Sequence, residues 1–299
     1  MKKEPVRHHY IPQFILRNFC IDEDGNTFFV DAKSKQQSKR QVSELFTGIN
    51  IYVDMGSDEI SEEVKENFAR FENEVAPLIK EKLLEKDEFV LTDAEDEKLI
   101  LFFTLMMFRF KYVQELFREE LSTEWQELYS NLRRGKKFDD FWKRNLAKLA
   151  QCRSLGEAME DEEIDESIKT FLIGTLDILE KYICVVEPRE GAEFVLGDSY
   201  PIVNKGVSQP PFGGSYELGI FDVYVLSPNR AVLFANFGCQ DTPRNILKVR
   251  PAVLSEPILK EEDEIYFRVR KLYPEEVKKI NDIIILCARE GYISRSEKA

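Results

Sequence analysis

Leu99-Ile-Leu-Phe-Phe-Thr-Leu-Met-Met-Phe108 is the longest apolar run of the chain, and Arg109 follows it at once. Around a helix these side chains would point in all directions, which is typical of a helix buried inside a helical layer. The run has half of the about 20 residues that cross a bilayer, so it predicts a core helix and no membrane span. Thr92 and Glu95 precede it with the spacing of a capping box, which predicts where the helix begins.

Helical patterns continue on both sides of this run. From residue 59 to residue 79, apolar residues recur with the spacing of one helix face, and Pro77 is expected to kink or split that helix near its end. Two further predicted helices cover residues 122–132 and 138–149, separated by a basic turn at 133–137. The acidic stretch 157–166 then leads into another predicted helix, whose apolar residues run from 168 to 183.

The apolar period changes from 3.6 to 2 near Val185, which indicates strands. Strand-like runs occupy residues 193–196, 216–226, 231–237 and 265–272, with shorter ones at 27–30 and 50–53. Pro274 and Gly291 have the preferred positions for the start and the end of a closing helix.

These patterns predict an α+β protein in which a helical layer from the middle of the chain packs on a mainly antiparallel sheet from the C-terminal third. We expect one domain over residues 1–299. Its parts would be a β-containing segment at 1–58, a helical part at 59–184, a β-rich part at 185–272 and a closing helix at 274–290.

The charge and cysteine content favour a soluble, cytoplasmic protein. The net charge of −13 and the pI near 4.9 disfavour non-specific binding to nucleic acid and to anionic membranes. The N-terminus has no apolar segment of a signal peptide, and the five isolated cysteines indicate reduced thiols. Two adjacent histidines and isolated cysteines do not make a zinc ligand set, so we expect no structural zinc and no cofactor. A loosely bound Mg²⁺ or Mn²⁺ at acidic residues is compatible with the sequence.

The strongest local feature is His8-His-Tyr-Ile-Pro-Gln-Phe-Ile-Leu-Arg-Asn-Phe19, which contains both histidines of the chain. Adjacent residues project in different directions, so His8 and His9 are not expected to bind one metal ion together. Two interpretations stay open. One histidine is exposed while the other donates to a backbone carbonyl, or one of them joins acidic residues from elsewhere in a site.

This N-terminal stretch, with His9-Tyr-Ile-Pro12, Leu16-Arg17 and Phe19, resembles the opening motif of the bacterial domain of unknown function 4238 family. Three later segments are similar to that family: Phe194–Pro201 around Asp198, Val225-Leu-Ser-Pro228, and Ile280-Asn281 in the last helix. Gly197, Ser199 and Val225 depart from the family pattern, whereas Asp198 matches the family aspartate. The resemblance implies one domain type and supplies no activity, substrate or cofactor.

Helical geometry singles out three further residues. Arg109 ends the apolar helix, where a guanidinium needs a carboxylate or a bound anion, and it resembles an arginine of the family at that place. Glu72 lies at the edge of the apolar stripe of its own helix and is a suitable partner. The pair would either hold two helices in register or belong to a functional site. Asn281 lies on an apolar helix face, and we expect its amide to clamp a loop.

Two functions from different classes fit these residues. In the first, the catalytic residues are His9, Asp198 and Glu72, the ligand-binding residues are His8, Tyr10, Arg17 and Arg109, and the protein binds or hydrolyses a small anionic ligand, for example as a hydrolase or nuclease. In the second, the protein is a non-catalytic sensor or interaction protein with a protein partner, linked by association to phage defence or mobile elements. Whether it is an enzyme stays open. We further expect Arg17 and Asp198 to be partly buried and, together with His9, to approach one another.

Overall fold

The computed structural model describes residues 7–49, 58–109, 138–166, 168–169, 172, 183–204, 221–235, 259–261 and 264–297. Within these ranges the helices are α1 (Gln13–Arg17), α2 (Asp58–Leu78), α3 (Asp93–Arg109), α4 (Phe138–Leu149), α5 (Leu155–Glu160) and α6 (Pro274–Cys287). The strands are β1 (Arg7–His9), β2 (Asn26–Asp31), β3 (Gln37–Gln41), β4 (Thr47–Ile49), β5 (Glu88–Thr92), β6 (Ile183–Pro188), β7 (Leu196–Gly197), β8 (Ile202–Asn204), β9 (Phe221–Ser227), β10 (Arg230–Ala235), β11 (Leu259–Glu261), β12 (Glu264–Arg268), β13 (Arg270–Leu272) and β14 (Gly291–Ser294).

The chain divides into two compact units, and the first is mainly helical. It contains residues Met1–Pro12, Phe46–Pro77 and Glu97–Gly174. Its core is aromatic: Phe71 of α2 stacks on Phe102 of α3 with ring centroids 6.4 Å apart, and Phe108 of α3 contacts Trp142 of α4 at 5.5 Å. A short antiparallel ladder between β1 and β4 also belongs to this unit, pairing His9 with Thr47.

The second unit, Gln13–Leu45, Leu78–Asp96 and Thr175–Ala299, holds the larger sheets. The first has the strand order β13-β6-β10-β9-β8, in which only the β13–β6 pair is parallel. The other two, β3-β2-β14-β7 and β11-β12-β5, are antiparallel throughout. The prediction of an α+β fold with a helical layer in the middle of the chain is therefore confirmed. That the chain is one domain stays a prediction.

Several local predictions are also confirmed. The backbone N–H of Thr92 donates to Glu95 Oε2 at 2.9 Å, and the N–H of Glu95 donates to Thr92 Oγ1 at 3.3 Å, which completes the capping box. Residues Leu101 to Arg109 of α3 are buried without interruption. Two residues after Pro77, α2 passes into a π-helical segment, Ile79–Leu84. A proline lacks the N–H that continues the α-helical ladder, which accounts for the change.

Three predicted elements need correction. The closing helix ends at Cys287, not at residue 290, and Gly291 begins β14, a strand that the sequence patterns did not predict. The run 193–196 contributes only Leu196 to a strand, because the Asn281 side chain bonds the backbone of Glu193 and Val195. The run 265–272 is two strands in different sheets, divided at Val269, whose N–H donates to Asp87 O.

Other predictions lie outside the described residues: the strand at 50–53, the helix at 122–132, the basic turn at 133–137 and the outer ends of the strands at 216–226 and 231–237. Only parts of the predicted helix before residue 183 are described. In the described parts of the chain, no helix has both the length and the apolar content that crossing a bilayer requires.

A side chain would not fit at Gly291, the first residue of β14. A Cβ atom built there would lie 2.3 Å from Val30 O and 2.5 Å from the ring of Phe29. Because the carbonyl belongs to the neighbouring strand β2, relief requires the strands to separate. We expect Gly291→Ala to lower the free energy of unfolding by about 1–3 kcal/mol, measured by urea denaturation. Gly156→Ala is the control for the replacement of a glycine, since its φ, like that of Gly291, is not positive and its Cβ would meet only Ser154 Oγ, at 3.6 Å. Equal stability of the Gly291 variant and the wild type would contradict the close packing of β14 on β2.

Candidate functional site

The N-terminal motif is divided between the two units. Its first part, His8 to Pro12, lies in the helical unit, where β1 pairs with β4 and the N–H of Tyr10 donates to Phe46 O at 3.2 Å. The Tyr10 side chain is buried and contacts the ring of Phe46. His8 and His9 are half-buried. This backbone pairing holds the two histidines on the helical unit.

Arg109, at the end of α3, is the buried cation that connects this motif to the helices. Only 3% of the residue is exposed. One guanidinium nitrogen donates to Glu72 Oε1, and the other donates to the backbone carbonyl of His9 at 2.9 Å. The guanidinium also lies over the ring of Phe68, 4.6 Å from its centroid. The predicted Arg109–Glu72 pair is thus confirmed, and the same arginine holds β1 through its backbone.

Positive charge gathers around His8. Burial lowers the pKa of His8, and the charges of Lys65, Lys143 and Arg109 lower it further. Lys143 on α4 has only 1% of its surface exposed. A lowered pKa makes the imidazole neutral at pH 7, and a neutral imidazole can accept a proton. We refer to His8, Lys65, Arg109 and Lys143 as the cationic cluster.

Neither Lys65 nor Lys143 was predicted from the sequence as a site residue. A signal for Lys143 was present, because it lies one helical turn before Ala147 and two turns before Ala150, both of them buried. A lysine on such an apolar helix face is unusual unless it has a partner or a function. Lys65 is exposed on α2 and has no comparable signal in the sequence.

Arg17 and Asn18 belong to the second unit and make local contacts. The Arg17 side chain is exposed, contrary to the expectation that it is partly buried, and donates to Gln13 Oε1 one turn earlier at 3.1 Å. Asn18 donates from its amide to Leu226 O at 2.8 Å. The helix α1 has only five residues, so its apolar neighbours are buried while Arg17 itself is turned outward.

Asp198, the family aspartate, holds a turn. Its two carboxylate oxygens accept the backbone N–H groups of Arg289, Glu290 and Gly291, at 2.9, 3.0 and 3.4 Å. Burial raises the pKa of this carboxyl, and the three N–H bonds act in the opposite direction. These contacts fix the turn that connects α6 to β14.

Neighbouring residues strengthen the same junction. Ser199 Oγ donates to Cys287 O at 2.7 Å, at the end of α6. Asn281 accepts from the N–H of Val195 at 3.1 Å and donates to Glu193 O at 2.8 Å, so the prediction that its amide clamps a loop is confirmed. Most of the family-like segments of the second unit therefore bind one another through backbone groups.

Arg109 thus joins Glu72 to the backbone of His9, and its charge lowers the pKa of His8. Among the described ion pairs and hydrogen bonds, none joins Arg17 to Asp198. His9 lies in the helical unit, whereas Arg17 and Asp198 lie in the second. The catalytic roles of His9, Glu72 and Asp198 and the ligand contacts of His8, Tyr10 and Arg17 stay predictions.

Within the described ranges, no three His, Cys, Asp or Glu side chains come close enough together to hold a metal ion.

Comparison with known proteins gives one match. The sequence profile of a family described as "Protein of unknown function (DUF4238)" matches residues 7–298, nearly the whole chain. No curated protein and no solved structure matches the chain.

Proposed function

Because the chain belongs to the DUF4238 family, whose description specifies no activity, we propose a function from its own residues: the helical unit binds a small anionic ligand at the cationic cluster. The observation that carries the proposal is that the charges of two buried cations, Arg109 and Lys143, both lower the pKa of the half-buried His8. A whole-chain charge of −13 makes such a local concentration of positive charge distinctive. A local concentration of one sign of charge attracts the opposite ion.

Arg109 is suited to orient such a ligand. The Phe68 ring beneath the guanidinium and the bond to His9 O hold its plane in one direction. A guanidinium carries five N–H donors, more than the bonds to Glu72 and His9 O use, and holding its plane in place lowers the entropy lost when an oxyanion binds. Glu72 supports this arrangement by pairing with one nitrogen of the fork.

His8 makes the proposed binding dependent on pH. Its pKa in the folded protein lies below the ordinary 6.5, so between these two pKa values the folded state binds fewer protons than the unfolded chain. Stability from this group is therefore present above pH 6.5 and is lost as the pH falls through the folded pKa. A bound anion would reverse the shift, because it stabilises the imidazolium. We expect ligand binding to be accompanied by proton uptake at His8.

A phosphate ester that is hydrolysed is the second candidate, favoured by the same neutral imidazole. A histidine that is neutral at pH 7 can remove a proton from water, while Arg109 and Lys143 stabilise the negative charge of the transition state. If the wild type hydrolyses a general phosphate ester and His8→Gln does not, this candidate is supported over binding alone.

Sulfate is a suitable probe for the binding proposal, because its charge does not change between pH 5.5 and pH 7.5. We expect sulfate to bind about three- to tenfold more tightly at pH 5.5 than at pH 7.5, measured by isothermal titration calorimetry. Chloride at matched ionic strength is the control for a general salt effect. In His8→Gln the affinity should no longer depend on pH. A wild-type affinity without pH dependence would contradict the role of His8.

Lys65→Gln and Arg70→Gln form a matched pair of variants. Both residues are exposed on α2, and both substitutions remove one positive charge. The charge of Lys65 lowers the pKa of His8, whereas the charge of Arg70 lowers the pKa of Glu74. We expect Lys65→Gln to weaken sulfate binding about two- to fivefold and Arg70→Gln to leave it unchanged. Equal effects of the two substitutions would mean that sulfate responds to overall charge, and would refute a site at the cluster.

A further inference from the structure

The second unit contains a cleft of ≈ 880 Å³ that plays no part in the function proposed above. Its walls are the end of β6 with the turn that follows it (Glu187 to Ala192), Asn229 and Arg230 at the start of β10, Lys271 of β13, Leu84, and Pro274 at the start of α6. This volume is within the range of small-molecule sites in proteins. The lining combines three cationic and two acidic side chains with proline and leucine surfaces.

Most of the charge in the cleft is already paired. Arg230 forms ion pairs with Glu187 and with Asp87, the latter at 2.7 Å, and donates from Nε to Leu83 O at 3.2 Å. Lys271 pairs with Glu187 as well. Two cations and two carboxylates therefore form a network that fixes one side of the cleft. These side chains are held by one another and have little capacity left for a ligand.

Arg189 is different. It is exposed at the cleft, and among the described residues its side chain makes neither an ion pair nor a hydrogen bond. Its guanidinium lies over the ring of Tyr273, with the central carbon 3.8 Å from the ring centroid. The backbone explains this position, because the N–H of Arg189 donates to Leu272 O and continues the parallel pairing of β6 with β13. Stacking holds the plane of the fork while all five N–H donors stay available.

The turn that follows Arg189 also leaves open space. Gly191 has φ +84, and a Cβ built there would meet nothing within 4 Å. The N–H of Ala192 donates to Arg189 O and closes the turn. Pro188 and Pro274 add rigid apolar surface with no side-chain polarity. The cleft therefore offers one oriented cation beside apolar walls and open volume.

We propose that this cleft binds a small molecule carrying an oxyanion, a carboxylate or a phosphate, with the oxyanion paired to Arg189 and the rest of the molecule against Pro188, Pro274 and Leu84. A planar, stacked guanidinium is the side chain best suited to such a pair, and lysine does not reproduce its two parallel bonds. Glu190, next in sequence and also lining the cleft, opposes the ligand charge and limits the affinity.

Nuclear magnetic resonance tests the site through its own signals, independently of the cationic cluster. The Arg189 Nε–H signal is identified by its absence from Arg189→Lys, and the Gly191 amide by its absence from Gly191→Ser. We expect both signals to shift saturably when succinate or inorganic phosphate is added, and not with chloride at matched ionic strength. A larger affinity for one of the two probes would assign the carboxylate or the phosphate source.

Variants complete the test. Followed at Gly191, Arg189→Lys should weaken binding of the better probe about tenfold, and Glu190→Gln should strengthen it about two- to fivefold. Arg268→Lys is the matched control, because Arg268 is an exposed arginine of the same unit that pairs with Glu88 outside the cleft. If Arg189→Lys lowers stability while neither probe moves the two signals, Arg189 serves only to fix the start of α6, and the proposal is overturned. Equal weakening by Arg268→Lys would overturn it as well.

Discussion

Replacing Arg109 with methionine is expected to lower the free energy of unfolding by roughly 3–5 kcal/mol. The substitution fills similar volume, but it leaves the Glu72 carboxylate, which is 23% exposed, without its ion-pair partner and removes the bond to His9 O. A partly buried charge that loses its partner keeps its desolvation cost, and this cost accounts for most of the effect. Urea denaturation monitored by circular dichroism measures it.

Two control variants separate the pair from general effects of the substitution. Arg109→Met combined with Glu72→Leu removes both charges and should recover most of the lost stability, because a well-packed apolar pair can replace a buried ion pair. Lys98→Met breaks a more exposed ion pair between the same two helices, with Glu74, and should cost less than about 1 kcal/mol. A double variant as unstable as Arg109→Met alone would show that the ion pair is not the source of the loss. A stable double variant is also suited to the sulfate experiment. It lacks Arg109 but stays folded, so a loss of sulfate binding would not result from unfolding.

Asp198→Ala is expected to have a comparable effect, roughly 3–5 kcal/mol, for a different reason. The substitution removes the acceptors of three backbone N–H groups at residues 289–291. The donors of Arg289 and Glu290 are partly buried and that of Gly291 is buried, and each donor left without a partner costs up to about 1–3 kcal/mol. Asp198→Asn keeps one acceptor oxygen and should lose about half as much.

Asp282→Ala provides the reference for Asp198, because its carboxylate on α6 is exposed and, among the residues that the structure describes, pairs only with Lys278 one turn earlier. We expect it to change the stability by no more than about 0.5 kcal/mol. If Asp198→Ala keeps the stability of the wild type but loses anion binding or hydrolysis, then the predicted catalytic role of Asp198 would gain support over its role in the turn.

The parts that the sequence predicted correctly follow from burial. An arginine at the end of an all-apolar helix needs a charged partner, and Glu72 on the neighbouring apolar stripe was the suitable one. Asn281 on an apolar helix face needs backbone partners in the same way. In both cases the apolar pattern identified a buried polar group, and a buried polar group needs a hydrogen-bond partner. Helical periodicity was equally informative, since α4 begins and ends at the residues that the pattern indicated.

The parts that were not predicted depend on partners distant in sequence. Nothing near Asp198 indicates that its acceptors serve N–H groups about ninety residues later. The short strand Gly291–Ser294 follows a helix directly, and the glycine before it resembled a helix end. Arg17 follows two apolar residues, Ile15 and Leu16, yet the five-residue helix buries those two and not the arginine. Pattern reading cannot decide which way such a short helix faces.

The position of β14 has a consequence for the order of folding. This strand lies between β2 and β7, and the Thr27 hydroxyl donates to Ser294 O across 267 residues of sequence. Such pairings give the four-stranded sheet a high contact order, and closing long loops before their contacts form slows folding. During synthesis, the β2 edge of the β2–β3 hairpin therefore stays unpaired until residues 291–294 leave the ribosome. Until then, the Phe29 and Val30 edge of β2 is available to other chains.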